Sequence, residues 1–156
     1  MDLDFIRVNV HTGVMITSQG IIQGKAHETL RYGKSLGNEV SIFADVLVKH
    51  AVSLRKQTVL EAAEETIDLG KADALIITGP RTGEEVNIND IRLVKSSLKT
   101  VPIIAGSGVD SSNIRNVFEY ADGVIVETSF KEKRVTTNQV DSSRVIEFMN
   151  IVERLR

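Results

Sequence analysis

Short apolar runs alternate along the chain with longer segments that have a helical pattern of apolar and polar positions. Val, Ile, Leu and Ala nearly fill each run, which is typical of parallel strands covered on both faces. The predicted strands are Phe5–Val10, Val40–Val48, Ala74–Thr78, Pro102–Ala105 and Gly123–Val126. The predicted helices are His27–Leu36, Thr58–Lys71, Asn89–Leu98, Ser111–Tyr120 and Ser142–Leu155. The pattern therefore predicts one α/β domain over residues 1–156, built from five βα units.

Five βα units fit either part of a (β/α)8 barrel or an open doubly wound parallel sheet. Alternate positions of the first two predicted strands, extended past their ends, carry polar side chains on one face: Arg7, Asn9, His11, Asp45 and Lys49. A barrel interior or mouth needs such groups, whereas an open sheet covered by helices would bury them at a cost. This parity favours the barrel.

Composition excludes several classes of protein. The 156 residues contain no Cys, which excludes a disulfide scaffold, Cys-ligated zinc, an iron–sulfur cluster and a thiol nucleophile. The 19 basic and 21 acidic residues give a net charge of -2, which argues against nucleic acid as a partner. No apolar run approaches the roughly 18 residues of a membrane span. We expect a cytoplasmic protein that does not insert into a membrane.

The first predicted strand ends in a candidate site. Arg7, Asn9 and His11 lie at and just beyond its carboxyl end, where the active sites of α/β proteins lie. The next segment, Val14–Gly24, combines polar residues with glycines and predicts a flexible loop over that site. The alternatives are a polar layer of the barrel for Arg7 and Asn9, and a solvated loop position for His11.

The second predicted strand carries a carboxylate, Asp45, among apolar residues and ends in Lys49 and His50. A buried carboxylate is costly unless it is paired, and either Arg7 or Lys49 could be the partner. A desolvated Asp or Lys beside a charge can act as a general acid or base. The alternative is a structural ion pair between strands. Because Asp45 and Lys49 share a strand face, both possibilities predict that they lie close together.

Glycine-containing turns follow the later strands. Thr78 and Gly79 begin a turn that continues to Thr82 and Gly83, where the backbone can approach a ligand. In many barrels, backbone N–H groups in the loops after the last two strands hold a phosphate. The residues that fit this role are Gly106, Ser107, Gly108, Thr128 and Ser129. Tight turns without a ligand have the same composition.

Common cofactor and metal motifs are absent. The sequence has no GxGxxG after the first strand, no Walker A loop, no HExxH and no GxSxG. Its three histidines, His11, His27 and His50, lack the spacing of metal ligands. We therefore expect no cofactor and no metal.

Several segments together resemble the BtpA family, which includes SgcQ-like proteins. They are Gly20–Gly24, Leu30–Gly37, Phe43–His50, Ile77–Gly79, Ala105–Val109, Thr128–Lys131 and Val140–Asp141. The resemblance covers almost the whole chain, and it implies a phosphate-binding (β/α)8 barrel and a link to photosystem I biogenesis. It also implies that this chain corresponds to strands four to eight of a longer barrel. Such an incomplete barrel exposes two sheet edges, and we expect a homo-oligomer.

The resemblance has one departure at the expected phosphate site. Glu127 stands where the family pattern implies a glycine, and a carboxylate there repels a phosphate and fills its space.

Convergence of polar residues at four strand ends leads to our main functional hypothesis. It is an enzyme that acts on a small phosphorylated or sugar-derived metabolite. Asp45 is the acid/base group, Lys49 its electrostatic partner or an electrophilic aid, and Arg7 and Asn9 orient the substrate. His11, His50, Thr78 and Gly79 belong to the substrate loops. The alternatives are a non-enzymatic assembly or stability factor and an inactive truncated product.

Overall fold

The computed structural model of the chain describes residues 3–37, 40–79 and 85–155. The strands are β1 (Phe5–Val8), β2 (Val14–Thr17), β3 (Gly20–Gln23), β4 (Ser41–Val46), β5 (Ala51–Ser53), β6 (Ala74–Ile77), β7 (Ile103–Ala105) and β8 (Gly123–Val124). The α-helices are α1 (Ala26–Leu36), α2 (Val59–Asp68), α3 (Ile88–Ser97), α4 (Ile114–Val117) and α5 (Ser142–Glu153). Two short 3-10 helices, Thr128–Phe130 and Glu132–Arg134, precede α5. All five predicted βα units are therefore present.

The main sheet has five parallel strands in the order β1-β4-β6-β7-β8. Each strand pairs with the next parallel strand along the chain, so the order never reverses. A doubly wound sheet requires a reversal, which gives its topological switch point. The strand order therefore confirms the barrel type and excludes the doubly wound alternative. Within the described ranges β1 and β8 do not pair, so the sheet is an open arc.

The core lies between the sheet and its helices. Leu75 and Ile77 of β6 and Ile103 of β7 are at most 1% exposed, and they pack with Ile91 and Val94 of α3. Burying an aliphatic side chain of this size stabilises the fold by about 1.5–3 kcal/mol. The opposite, concave face holds the residues of alternate parity, including Arg7 and Asp45. Core packing thus leaves the polar positions facing the inside of the arc.

A second sheet replaces the flexible loop expected at Val14–Gly24. β2 pairs antiparallel with β3 and with β5, giving the order β3-β2-β5. Val14–Thr17 and Gly20–Gln23 form the two arms of a hairpin, and Gly20 has a φ of 112° in its turn. The expectation of a flexible loop is wrong, because backbone hydrogen bonds to β5 order this segment.

The fourth helix is shorter than the predicted Ser111–Tyr120. The Asn113 side chain accepts a hydrogen bond from Asp110 N–H (2.9 Å) and donates one to the Gly108 carbonyl (2.8 Å). The Ser112 N–H donates to the Asp110 carboxylate (2.8 Å). These side-chain bonds hold residues 108–113 as a loop in competition with the helix.

Candidate functional site

The inside of the arc contains a cavity of about 190 Å³. It is lined by Arg7, Lys49, Gly106, Ser107, Gly108, Val109, Asp110, Ile125, Glu127, Thr128, Ser129 and Arg134. Arg7 lies on β1 and Thr128 follows β8, the two edges of the sheet. Both edges reach one cavity because the sheet curls. Seven predicted site residues are brought together here: Arg7, Lys49, Gly106, Ser107, Gly108, Thr128 and Ser129.

Asp45 lies behind this cavity in a network with Arg7 and Asn9. The Arg7 Nε and Nη2 each donate to one oxygen of the Asp45 carboxylate at 3.0 Å. The Asn9 amide donates to Oδ2 at 2.8 Å. The Asp45 side chain is 0% exposed, whereas that of Arg7 is 37% exposed. The bidentate pair fixes the plane of the guanidinium, and its outer edge remains available to the cavity.

Arg7, and not Lys49, is the ion-pair partner of Asp45. No hydrogen bond or ion pair involves Lys49 within the described residues. β4 ends at Val46, and Leu47 has a φ of 50°, so the strand parity that groups Asp45 with Lys49 does not extend to Lys49. Lys49 instead lines the cavity, and without a partner in the described part of the chain its ammonium group is suited to binding an anion or to protonating a leaving group.

The Gly106–Gly108 turn has a structural role that composition alone does not reveal. A Cβ on Gly106 would lie 2.6 Å from the Ile76 Cγ2 and 2.7 Å from the Thr78 Cγ2. Gly108 has a φ of 66°, which favours glycine. The Ser107 hydroxyl accepts a hydrogen bond from Gly79 N–H at 2.7 Å. Packing between β6 and β7 therefore requires Gly106, and Ser107 ties two strand ends together.

Backbone donors remain available in this turn. Among the described residues, no hydrogen bond uses the N–H groups of Gly108 or Val109. The Ser129 hydroxyl donates to the Val109 carbonyl at 3.0 Å, which holds the loop after β8 against the turn. Two adjacent N–H groups beside cationic side chains form an arrangement that can bind an oxyanion.

Arg134 lines the cavity, and the sequence analysis missed it. Lys133 and Arg134 have φ values of 54° and 56°, two consecutive non-glycine residues in the left-handed region. The Arg134 Nη1 lies 3.4 Å from the Asp110 Oδ2. The hydrogen bond from Ser112, aided by the charge of Arg134, holds the pKa of Asp110 below its ordinary value. The tertiary fold alone creates this position, since Arg134 belongs to an ordinary charged run.

Glu127 lines the same cavity, and its side chain is exposed. The charged residues of the lining are thus the cations Arg7, Lys49 and Arg134 and the carboxylates Asp110 and Glu127. Asp110 is paired with Arg134. Exposure lets water screen Glu127, which limits its repulsion of a bound anion.

The other predicted substrate-loop residues lie elsewhere. His11 is 1% exposed, and its Nε2 donates to the Gly70 carbonyl at 2.8 Å, so it contacts the end of α2 and not the cavity. Thr78, Gly79 and His50 line a second cavity of about 380 Å³ beside the first. The predicted turn residues Thr82 and Gly83 lie outside the described residues.

A search of residues 3–37, 40–79 and 85–155 finds no group of three metal-ligating side chains. Over the same residues, no helix is long and apolar enough to span a membrane.

Comparisons with known proteins agree with this architecture. The structure of thiamine phosphate pyrophosphorylase from Pyrococcus furiosus superposes with a TM-score of 0.63 at 18% identity, over 97% of this chain and 60% of that one. At this identity the similarity concerns the fold alone.

Sequence comparison identifies closer relatives. The photosystem I biogenesis protein BtpA of Synechocystis sp. is 45% identical over 93% of this chain and 50% of its own length. The sgc region protein SgcQ of Escherichia coli is 29% identical over 97% of this chain and 57% of its own length. The chain thus spans about half the length of the curated relatives it matches. The BtpA family profile matches residues 1–154, and the chain belongs to the BtpA family.

Proposed function

We propose that the first cavity binds the phosphate group of a small phosphorylated or sugar-derived metabolite and that the chain carries the phosphate-binding part of a barrel enzyme. The observation that carries this proposal is that Arg7, Lys49 and Arg134 line one cavity with Gly108 and Val109, whose N–H groups make no hydrogen bond to the described residues. Charge-assisted hydrogen bonds from such groups are the strong contacts of phosphate sites.

The geometry supports a different task for each of the predicted catalytic residues. Asp45 and Asn9 hold Arg7, since all three of their hydrogen bonds lie within this network. Arg7 then presents a fixed guanidinium edge to a ligand oxygen. Lys49 lines the cavity and has no ion-pair partner within the described residues, which suits it to stabilise developing negative charge or to donate a proton.

Titration calorimetry with fructose 6-phosphate and with fructose tests this proposal. The phosphate ester is expected to bind and the free sugar is not. Lys49→Ala and Arg134→Ala are each expected to weaken binding by about 10- to 100-fold, since a hydrogen bond to a charged group contributes about 1.5–3 kcal/mol. Lys99→Ala is a matched control, because Lys99 is exposed in the turn before β7 and lines neither cavity. Equal binding of sugar and phosphate ester would refute the proposal.

A second candidate function is a non-enzymatic assembly or stability factor. A relative that is 45% identical is named for photosystem I biogenesis. Ile16, Ile21 and Val52 form a cross-strand row in the small sheet and are 44%, 72% and 70% exposed. Contiguous exposed apolar side chains are typical of surfaces that bind another protein. Under this hypothesis, Ile21→Lys abolishes partner binding, whereas Lys49→Ala leaves it intact.

A further inference from the structure

The second cavity lies between the ends of β4 and β6 and the small sheet. Its volume is about 380 Å³, about twice that of the first cavity. Met15, Val52 and Gly79 are among its lining residues, and Lys49 lines both cavities. A ligand bound in the first cavity can therefore extend past Lys49 into the second.

The charge of the second cavity is one-sided. Lys49, His50, Arg55 and Lys56 line it, and no described residue of its lining is acidic. Arg55 donates to Glu65 at 2.7 Å and to Gln57 at 2.9 Å, so its charge is partly compensated. Within the described ranges, Lys56, like Lys49, makes no hydrogen bond or ion pair. Lys49 and Lys56, which have no ion-pair partner within the described ranges, repel one another and attract an anion.

Two further features of this cavity are costly to the free protein. The Thr78 hydroxyl is buried and has no hydrogen-bond partner among the described residues, a loss of about 1–3 kcal/mol for such a group. Leu47 and His50 have φ values of 50° and 59°, and each left-handed non-glycine residue costs about 1–3 kcal/mol. Orphaned hydroxyls and strained backbone of this kind cluster at ligand sites.

We propose that the second cavity binds a second anionic group, phosphate or carboxylate, of the same ligand whose phosphate occupies the first. This inference rests on the proposed function and specifies its substrate class, a metabolite with two acidic groups. Lys49 lies between the two groups and contacts both. Lys56 binds the second group, and the Thr78 hydroxyl donates to it or to the adjacent part of the ligand.

The test compares ligands that differ by one acidic group. Fructose 1,6-bisphosphate is expected to bind at least tenfold more tightly than fructose 6-phosphate in titration calorimetry. The affinity ratio of 3-phosphoglycerate to glycerol 3-phosphate tests whether a carboxylate can be the second acidic group. The ligand pair with the larger affinity ratio identifies the second group. The measured quantity is the affinity ratio within each pair.

Variants then locate the gain in the second cavity. Lys56→Ala is expected to reduce the bisphosphate-to-monophosphate ratio at least threefold, whereas Lys99→Ala keeps the ratio of the unmodified chain. Thr78→Val keeps the side-chain shape, and it is expected to weaken bisphosphate binding severalfold without lowering the melting temperature. A ratio near one in both ligand pairs, with monophosphate still bound, overturns the second site and leaves the proposed function standing. Binding of no phosphate ester overturns both.

Discussion

The ion pair of Asp45 with Arg7 allows a sharp test, because its two partners differ in exposure. Arg7→Ala leaves a carboxylate that is 0% exposed with the Asn9 amide as its remaining hydrogen-bond donor. Removing one partner of a buried pair costs about 3–5 kcal/mol, since the other charge stays uncompensated. We expect Arg7→Ala to lower the free energy of unfolding by an amount in that range.

The reverse substitution is expected to cost less. Asp45→Ala leaves the Arg7 side chain, which is 37% exposed, and water can replace the lost carboxylate. The remaining cost is about 1–2 kcal/mol for hydrogen bonds exchanged with water and for lost packing. Because water can replace the lost partner of the exposed Arg7 but not that of the buried Asp45, Arg7→Ala is the costlier of the two changes.

Urea unfolding of the two single variants and the double variant measures this asymmetry. The double variant is expected to cost roughly 1–3 kcal/mol less than the sum of the singles, because the second deletion removes a charge that no longer has a partner. Arg31→Ala is the control, an exposed arginine on α1, with an expected effect within about 0.5 kcal/mol. Equal costs for the two single variants, or strictly additive costs, would refute the reasoning.

Three further predictions concern packing, pH and association. Gly106→Ala places a Cβ 2.6 Å from the Ile76 Cγ2, and it is expected to lower the free energy of unfolding by about 1–3 kcal/mol in urea titrations. The Ser112 hydrogen bond lowers the pKa of Asp110 from 3.8, so the ionised carboxylate stabilises the fold above pH 3.8 and this stabilisation is lost as the pH falls through the lowered pKa. In urea titrations below pH 3.8, the difference in unfolding free energy between Ser112→Ala and the unmodified chain is therefore expected to narrow. Phe5 on the open edge strand is 52% exposed, and Phe5→Lys is expected to shift a homo-oligomer toward monomer in light scattering.

The parallel strands could be predicted from the sequence because short continuous apolar runs are typical of strands that are covered on both faces. The buried strands β6 and β7 fall within predicted runs, and the curled sheet brings the predicted turns at Gly106–Gly108 and Thr128–Ser129 to one cavity. The hairpin at Val14–Gln23 was missed, although its two apolar arms flank a turn that ends in Gly20. Glycines among polar residues are typical of flexible loops, but here pairing with the more distant strand β5 orders the segment.

The site itself could be predicted only in part. Parity placed Asp45 and Arg7 on one face, but it could not choose between Arg7 and Lys49 as the partner. That choice depends on the turn at Leu47, whose positive φ has no signature in a leucine. Arg134 reaches the cavity through two left-handed residues in a charged run, so composition could not separate it from its neighbours.

The cations of the two cavities differ in whether a carboxylate holds them, so the salt dependence of anion binding is expected to differ between the cavities. Arg7 and Arg134 are each held by a carboxylate, which fixes their geometry and reduces their net charge. Lys56 in the second cavity is exposed and unpaired within the described residues, so its attraction for an anion is long-ranged and screened. The screening length falls from about 30 Å at about 0.01 M salt to about 3 Å at about 1 M. The bisphosphate-to-monophosphate affinity ratio is therefore expected to fall as salt rises across this range in titration calorimetry. A ratio independent of salt would mean that directed hydrogen bonds, and not the unpaired lysines, hold the second group.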